Sequence, residues 1–99
     1  MIEIEGTTET FKQDIERAVR ILKDEGCTEI YLFGSVATGE THARSDIDLA
    51  VRGCPTGRFF HMLARLMRNL DHPVDIVDLN EPSIFVRYLL GSAELVRIG

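Results

Sequence analysis

Nowhere does this chain hold an apolar run near the roughly 20 residues that a membrane span needs, so no spanning helix is expected and no membrane partner. Basic runs are missing as well. Eleven Lys and Arg are scattered against 16 Asp and Glu, for a net charge of −5, which argues against duplex DNA or RNA held on a cationic face. The opening residues, "MIEIEGTTET", are acidic and lack the basic start and apolar core of a secretion signal, making the cytoplasm the expected compartment. Cysteine is scarce: Cys27 and Cys54 are expected near the same end of an antiparallel strand pair, as reduced packing residues. Repeats, linkers and low-complexity segments are absent too. A chain of 99 residues supplies one core, so a single domain over 1–99 is expected. What is present, 44% hydrophobic and 27% charged residues, is the composition of a soluble globular fold.

Thr7 or Thr8 can cap a helix running to about Glu25, with Phe11, Ile15, Ala18, Val19 and Leu22 at three- and four-residue spacing and Gly26 as the stop. "EIYLF" (29–33) reads as a buried strand, and "DIDLAV" (46–51) as one alternating acid with aliphatic before Gly53 and Pro55 break it. Residues 56–70 form a second helix, whose apolar face is expected to be Phe60, Leu63, Ala64, Met67 and Leu70, widened by Phe59, Met62 and Leu66. "PVDIVDL" (73–79) is a third strand, "PSIFVRYLL" (82–90) a short apolar helix and "ELVRI" (94–98) a closing strand. The helix between the second and third strands is long enough for a parallel crossover, whereas the first two strands can run antiparallel. That topology brings Gly34-Ser35, Asp46, Asp48 and Asp75 to one edge of a sheet.

Asp46 and Asp48 are two apart on a strand and share a face, while Ile47, Leu49 and Val51 point to the other. Neighbouring carboxylates repel unless a cation joins them. Oxygen-only ligands with open positions suit Mg²⁺, or Mn²⁺, carrying phosphates and water. A third carboxylate allows two metals, one activating an attacking hydroxyl and one neutralising the leaving pyrophosphate. Asp75 is the expected third acid, distinguished only by its strand face; Asp78, on the opposite face near the strand end, remains the alternative. Gly34 lets backbone approach a phosphate, and Ser35 can cap a short turn whose N–H groups face an anion.

The stretch "FGSVATGETHARSDIDLAV" resembles the signature of the nucleotidyltransferase superfamily that includes DNA polymerase beta, in which Gly-Ser precedes Asp-x-Asp by about ten residues. So short a chain looks most like the minimal nucleotidyltransferases, often antitoxins of HEPN ribonuclease toxins. The resemblance implies an α+β, two-layer fold with a mixed sheet of three to four strands packed with helices. It implies that Gly34 and Ser35 contact the nucleotide phosphates and that Asp46, Asp48 and Asp75 are catalytic metal ligands. It further implies an Mg²⁺-dependent transferase moving a nucleoside monophosphate, AMP, from a triphosphate to a hydroxyl acceptor, plausibly a tyrosine of a cognate HEPN toxin. Many relatives carry arginines just after Gly-Ser; here Val36 and Thr38 stand there, and Arg44 is either a substitute phosphate contact or a surface loop residue.

Two other readings accompany this one. A degenerate transferase would neutralise its partner by docking alone, using an apolar patch on 84–90 where Phe85 or Tyr88 is exposed. A small-molecule transferase would need a second copy of the chain to complete its acceptor site. ATP, CTP and GTP are all compatible with the motifs, as are a monomer, a homo-oligomer or a complex. His42, His61 and His72 are isolated and read as surface residues, and Tyr31 as core.

Overall fold

The computed structural model describes residues 9–34, 46–91 and 95–99. In order, these form α1 (Glu9–Asp24), β1 (Glu29–Phe33), β2 (Ile47–Arg52), α2 (Phe59–Asn69), β3 (Val74–Asp78), α3 (Ile84–Leu90) and β4 (Val96–Arg97). The Thr7 and Thr8 caps lie outside the described residues.

Phe11, Ile15, Ala18 and Leu22 give α1 one continuous apolar stripe, and all are buried. The helix stops because Gly26 turns to a φ of +104°, which lets its N–H reach the Lys23 carbonyl and the Cys27 N–H reach that of Leu22. That pair of bonds satisfies carbonyls the last turn would otherwise leave open. The chain then enters β1 directly.

The sheet runs in the order β3-β2-β1-β4. β1 pairs antiparallel with both β2 and β4, and β2 pairs parallel with β3, α2 lying in the crossover. The sheet is thus mixed and four-stranded, the α+β arrangement expected, but helices lie on both of its faces, so α3 adds a layer to the two expected. Ile30, Leu32, Ile47, Leu49, Val51, Val74 and Ile76 pack beneath α1 and α2 as the main core. On the other face Val86 and Leu89 of α3 cover Ala50, with Leu79, Tyr31, Phe33, Val77 and Leu95 around them. Tyr31 is therefore half-buried rather than fully core, and its hydroxyl donates to Glu29 Oε1.

Three expectations are corrected. In α2 the buried positions are Met62, Leu66 and Leu70, with Phe59 and Leu63 beside them, while Phe60 and Met67 are 80% and 63% exposed. Apolar residues lie on both sides of this helix, so periodicity cannot choose its roll; the roll observed turns Arg65 toward Asp24 at the end of α1 and toward Glu25 just after it. The Glu25 side chain, only 4% exposed, takes Arg58 Nη2 and Arg65 Nη1 at 2.8 Å each and His61 Nε2 at 3.3 Å. Hydrogen bonds from Arg58 and then Arg65 hold its carboxyl down at about 2. Cys27 and Cys54, expected as thiols, are joined in a disulfide. The Thr28 N–H to Arg52 carbonyl bond that closes the β1–β2 ladder sets the two cysteines at its end, and in an oxidising environment such neighbours bond. His72, expected at the surface, has a side chain only 10% exposed.

Candidate active site

Cross-strand register builds the site. β1 sets Phe33 opposite Asp48, and β3 sets Asp75 opposite Asp48 from the other side. Because side chains alternate along each strand, Phe33, Asp48 and Asp75 emerge as one row on the α3 face, next to the row Tyr31, Ala50 and Val77. Asp46 lies just before β2 and is exposed, Asp48 is half-buried and Asp75 is exposed. Burial, then the charges of Asp46 and Asp75, push the Asp48 carboxyl above the ordinary carboxylate range. Among the described residues no salt bridge engages any of the three.

Asp78, the competing third acid, stands opposite Val51 at the other end of the strand and accepts the Asn80 N–H on Oδ1 at 2.9 Å. The parallel register therefore puts Asp75, not Asp78, in the row. Gly34 follows Phe33 with a φ of +79°, and a Cβ built there would overlap Asp48 Oδ2. Its missing side chain is thus required by the Asp48 carboxylate as well as by any phosphate approach. Ser35, Val36, Thr38, His42 and Arg44 lie outside the described residues.

Among the described residues no three His, Cys or acidic side chains converge on a single ion by themselves. Mg²⁺ does not demand that: it is held by one or two carboxylates and completes its shell with substrate phosphates and water. A half-buried Asp48 flanked by two like charges is an oxygen-only donor set, which fits an ion that arrives with phosphates. A cavity of about 550 Å³ lies at the far end of the strands, against Val51, Cys54, Phe60 and Asn80.

Residues that sequence reading missed hold the edge in place. Asp14, fully buried on α1, accepts the Asp71 N–H at 2.9 Å and the His72 N–H at 2.9 Å, with His72 Nδ1 at 2.8 Å. The His72 ring stacks on Phe11 with centroids 3.8 Å apart. One residue on, the Pro73 carbonyl accepts the Ile47 N–H at 2.8 Å. Asp14 thereby fixes the segment that sets β3 against the start of β2, where Asp46, Asp48 and Asp75 meet. The available signal was its position three residues after Phe11 and one before Ile15, inside the apolar stripe.

Comparison with known proteins bears on the family and the fold. The chain is 43% identical over 58 residues to the protein adenylyltransferase MntA of Shewanella oneidensis, which covers 54% of this chain and 41% of that protein. It therefore spans less than half of the curated relative it matches. A toxin-antitoxin crystal structure with AMP-PNP superposes with a TM-score of 0.70 at 28% identity, over 84% of this chain and 70% of that one. A structure described as a candidate minimal nucleotidyltransferase gives 0.66 at 29% identity, over 92% and 93% of the two chains. No helix of the described residues is long and apolar enough to cross a membrane. The family described as polymerase beta nucleotidyltransferases matches residues 11–96, nearly the whole chain, and to that family this chain belongs.

Proposed function

We propose that the chain catalyses transfer of AMP from ATP to a hydroxyl of a protein, most simply a tyrosine of a HEPN-type toxin that it neutralises. The observation that carries this reading is the row of Asp48 and Asp75, with Asp46 beside it, next to the tight turn at Gly34. Support comes from the relatives: one is named a protein adenylyltransferase, and one toxin-antitoxin structure contains AMP-PNP.

Asp46 and Asp48 would hold Mg²⁺ together with the nucleotide phosphates, and Asp75 would complete the acidic set. The bound ion supplies charge neutralisation at the α-phosphoryl group and at the departing pyrophosphate. The Gly-Ser pair at 34–35 would contact phosphate oxygens, as the family signature implies. The acceptor oxygen attacks the α-phosphorus, the bond to the β-phosphate bridging oxygen breaks, and pyrophosphate leaves. Asp75, exposed at the outer end of the row, accepts the proton the hydroxyl gives up. Positioning and charge do the work, as phosphoryl-group chemistry allows.

The test is incubation of the chain with its genomic-neighbour HEPN protein, α-labelled ATP and Mg²⁺. Label on a partner tyrosine, lost in the Asp46→Ala, Asp48→Ala variant, is expected. Protection of cells by that unlabelling variant would instead establish neutralisation by docking.

A further inference from the structure

Phe85 is unusual among the exposed apolar residues because of where it sits. α3 is anchored to the sheet by Val86 and Leu89, both buried, so its packing does not require Phe85. The Ser83 hydroxyl caps the helix by accepting the Val86 N–H, which fixes the first turn and with it the direction of the Phe85 side chain. That side chain reaches Phe33, with ring centroids 6.1 Å apart and planes at 64°. An edge-to-face contact uses one ring's edge and leaves a broad face open, and Phe85 is 49% exposed. Phe33 in turn is the cross-strand neighbour of Asp48, about 5 Å away by the geometry of an antiparallel pair.

We propose that this ring pair is the nucleobase platform of the site: the base of the donor triphosphate stacks on Phe85, with Phe33 beneath it. The inference rests on the carboxylate row being the nucleotide site. From Asp48 two short lateral steps, first to Phe33 and then to Phe85, lead out of the acidic row to an apolar surface. This is the separation of chemistry a nucleotide needs, with phosphates and cations at one end and an uncharged aromatic at the other. A phenyl ring reads π-face area rather than base edges, so the platform ranks purines above pyrimidines without choosing one purine by hydrogen bonds.

Calorimetric titration of ATP, CTP and inorganic tripolyphosphate, each with Mn²⁺, into the full chain and its Phe85→Ala and Phe85→Trp variants tests this. The Phe85→Ala variant should lose about 5- to 100-fold in ATP affinity, with a smaller loss for CTP, while tripolyphosphate stays within about twofold. Phe85→Trp should restore ATP binding. Equal weakening of ATP and tripolyphosphate would overturn the platform and make Phe85 a packing residue of α3. Unchanged ATP affinity with a raised KM for the acceptor would overturn it in favour of an acceptor surface. Failure of the wild type to bind either ligand would remove the nucleotide site itself, and the platform with it.

Discussion

Replacing Asp14 by Ala should cost more stability than any single surface change, although Asp14 lies on a helix and touches no substrate. The side chain is fully buried and takes the backbone N–H groups of Asp71 and His72 as well as the His72 ring. Truncation strands two backbone donors and one imidazole nitrogen. A buried donor left without its acceptor costs about 1–3 kcal/mol, and more where the lost acceptor is charged. The contributions overlap, so about 3–5 kcal/mol is the expected total. Against the roughly 5–15 kcal/mol of a typical domain this is a large share, and at about 4–8 °C per kcal/mol the melting midpoint should fall by at least about 12 °C. Asp14→Asn keeps the shape and one acceptor oxygen, and should lie between the two. Urea unfolding at pH 7 and thermal melts followed by circular dichroism measure the loss. Because Pro73 ties this segment to Ile47, nucleotide affinity should fall too at temperatures where the variant is folded. A loss below about 1 kcal/mol for Asp14→Ala would refute the view that this carboxylate organises the edge.

Asp48→Asn should stabilise the metal-free chain and abolish transfer, the trade expected where like charges are massed for function. The sign follows from Asp48 sitting above its ordinary value of 3.8 because of burial and then Asp46 and Asp75: stability is greatest below that value and falls as pH rises through the raised one. Melts of wild type and variant across that range, with and without Mn²⁺, should show the wild-type decline only, reversed by metal with nucleotide. Glu25 has the opposite sign. Held at about 2 by Arg58 and Arg65 against an ordinary 4.5, it contributes stability above pH 4.5 that is lost as pH drops toward 2, and Glu25→Gln should flatten that part of an acid-unfolding curve. Reduction of the Cys27–Cys54 bridge, 27 residues apart, should cost about 3–4 kcal/mol in urea unfolding by loop-closure entropy. Intact-mass measurement under non-reducing conditions, expected to show no free thiol, checks that the bridge forms.

The helix and strand order was legible because each element carries its own period: Phe11, Ile15, Ala18 and Leu22 repeat at helical spacing, and Asp46, Ile47, Asp48 and Leu49 alternate as a strand does. Gly26 and Gly53 marked stops correctly because both adopt positive φ. The same local logic set Asp46 and Asp48 on one strand face and Gly34 at the end of the preceding strand. It failed where two faces of one helix are equally apolar, as in α2, and where a polar residue earns its burial from partners 57 and 58 positions away, as Asp14 does.

By itself, then, the sequence determined the class of fold, the alternation that puts Asp46 and Asp48 on one side of β2, and the glycine that takes a positive φ right after β1. Those are properties of neighbours along the chain, set by backbone geometry and side-chain period. The tertiary structure alone decided that Asp75 rather than Asp78 faces Asp48, that Phe85 reaches Phe33, that α2 rolls toward Glu25 and that Cys27 meets Cys54. Each depends on contacts between residues distant in sequence, and such pairings are fixed only when the competing burial and charge interactions of the whole chain are satisfied together.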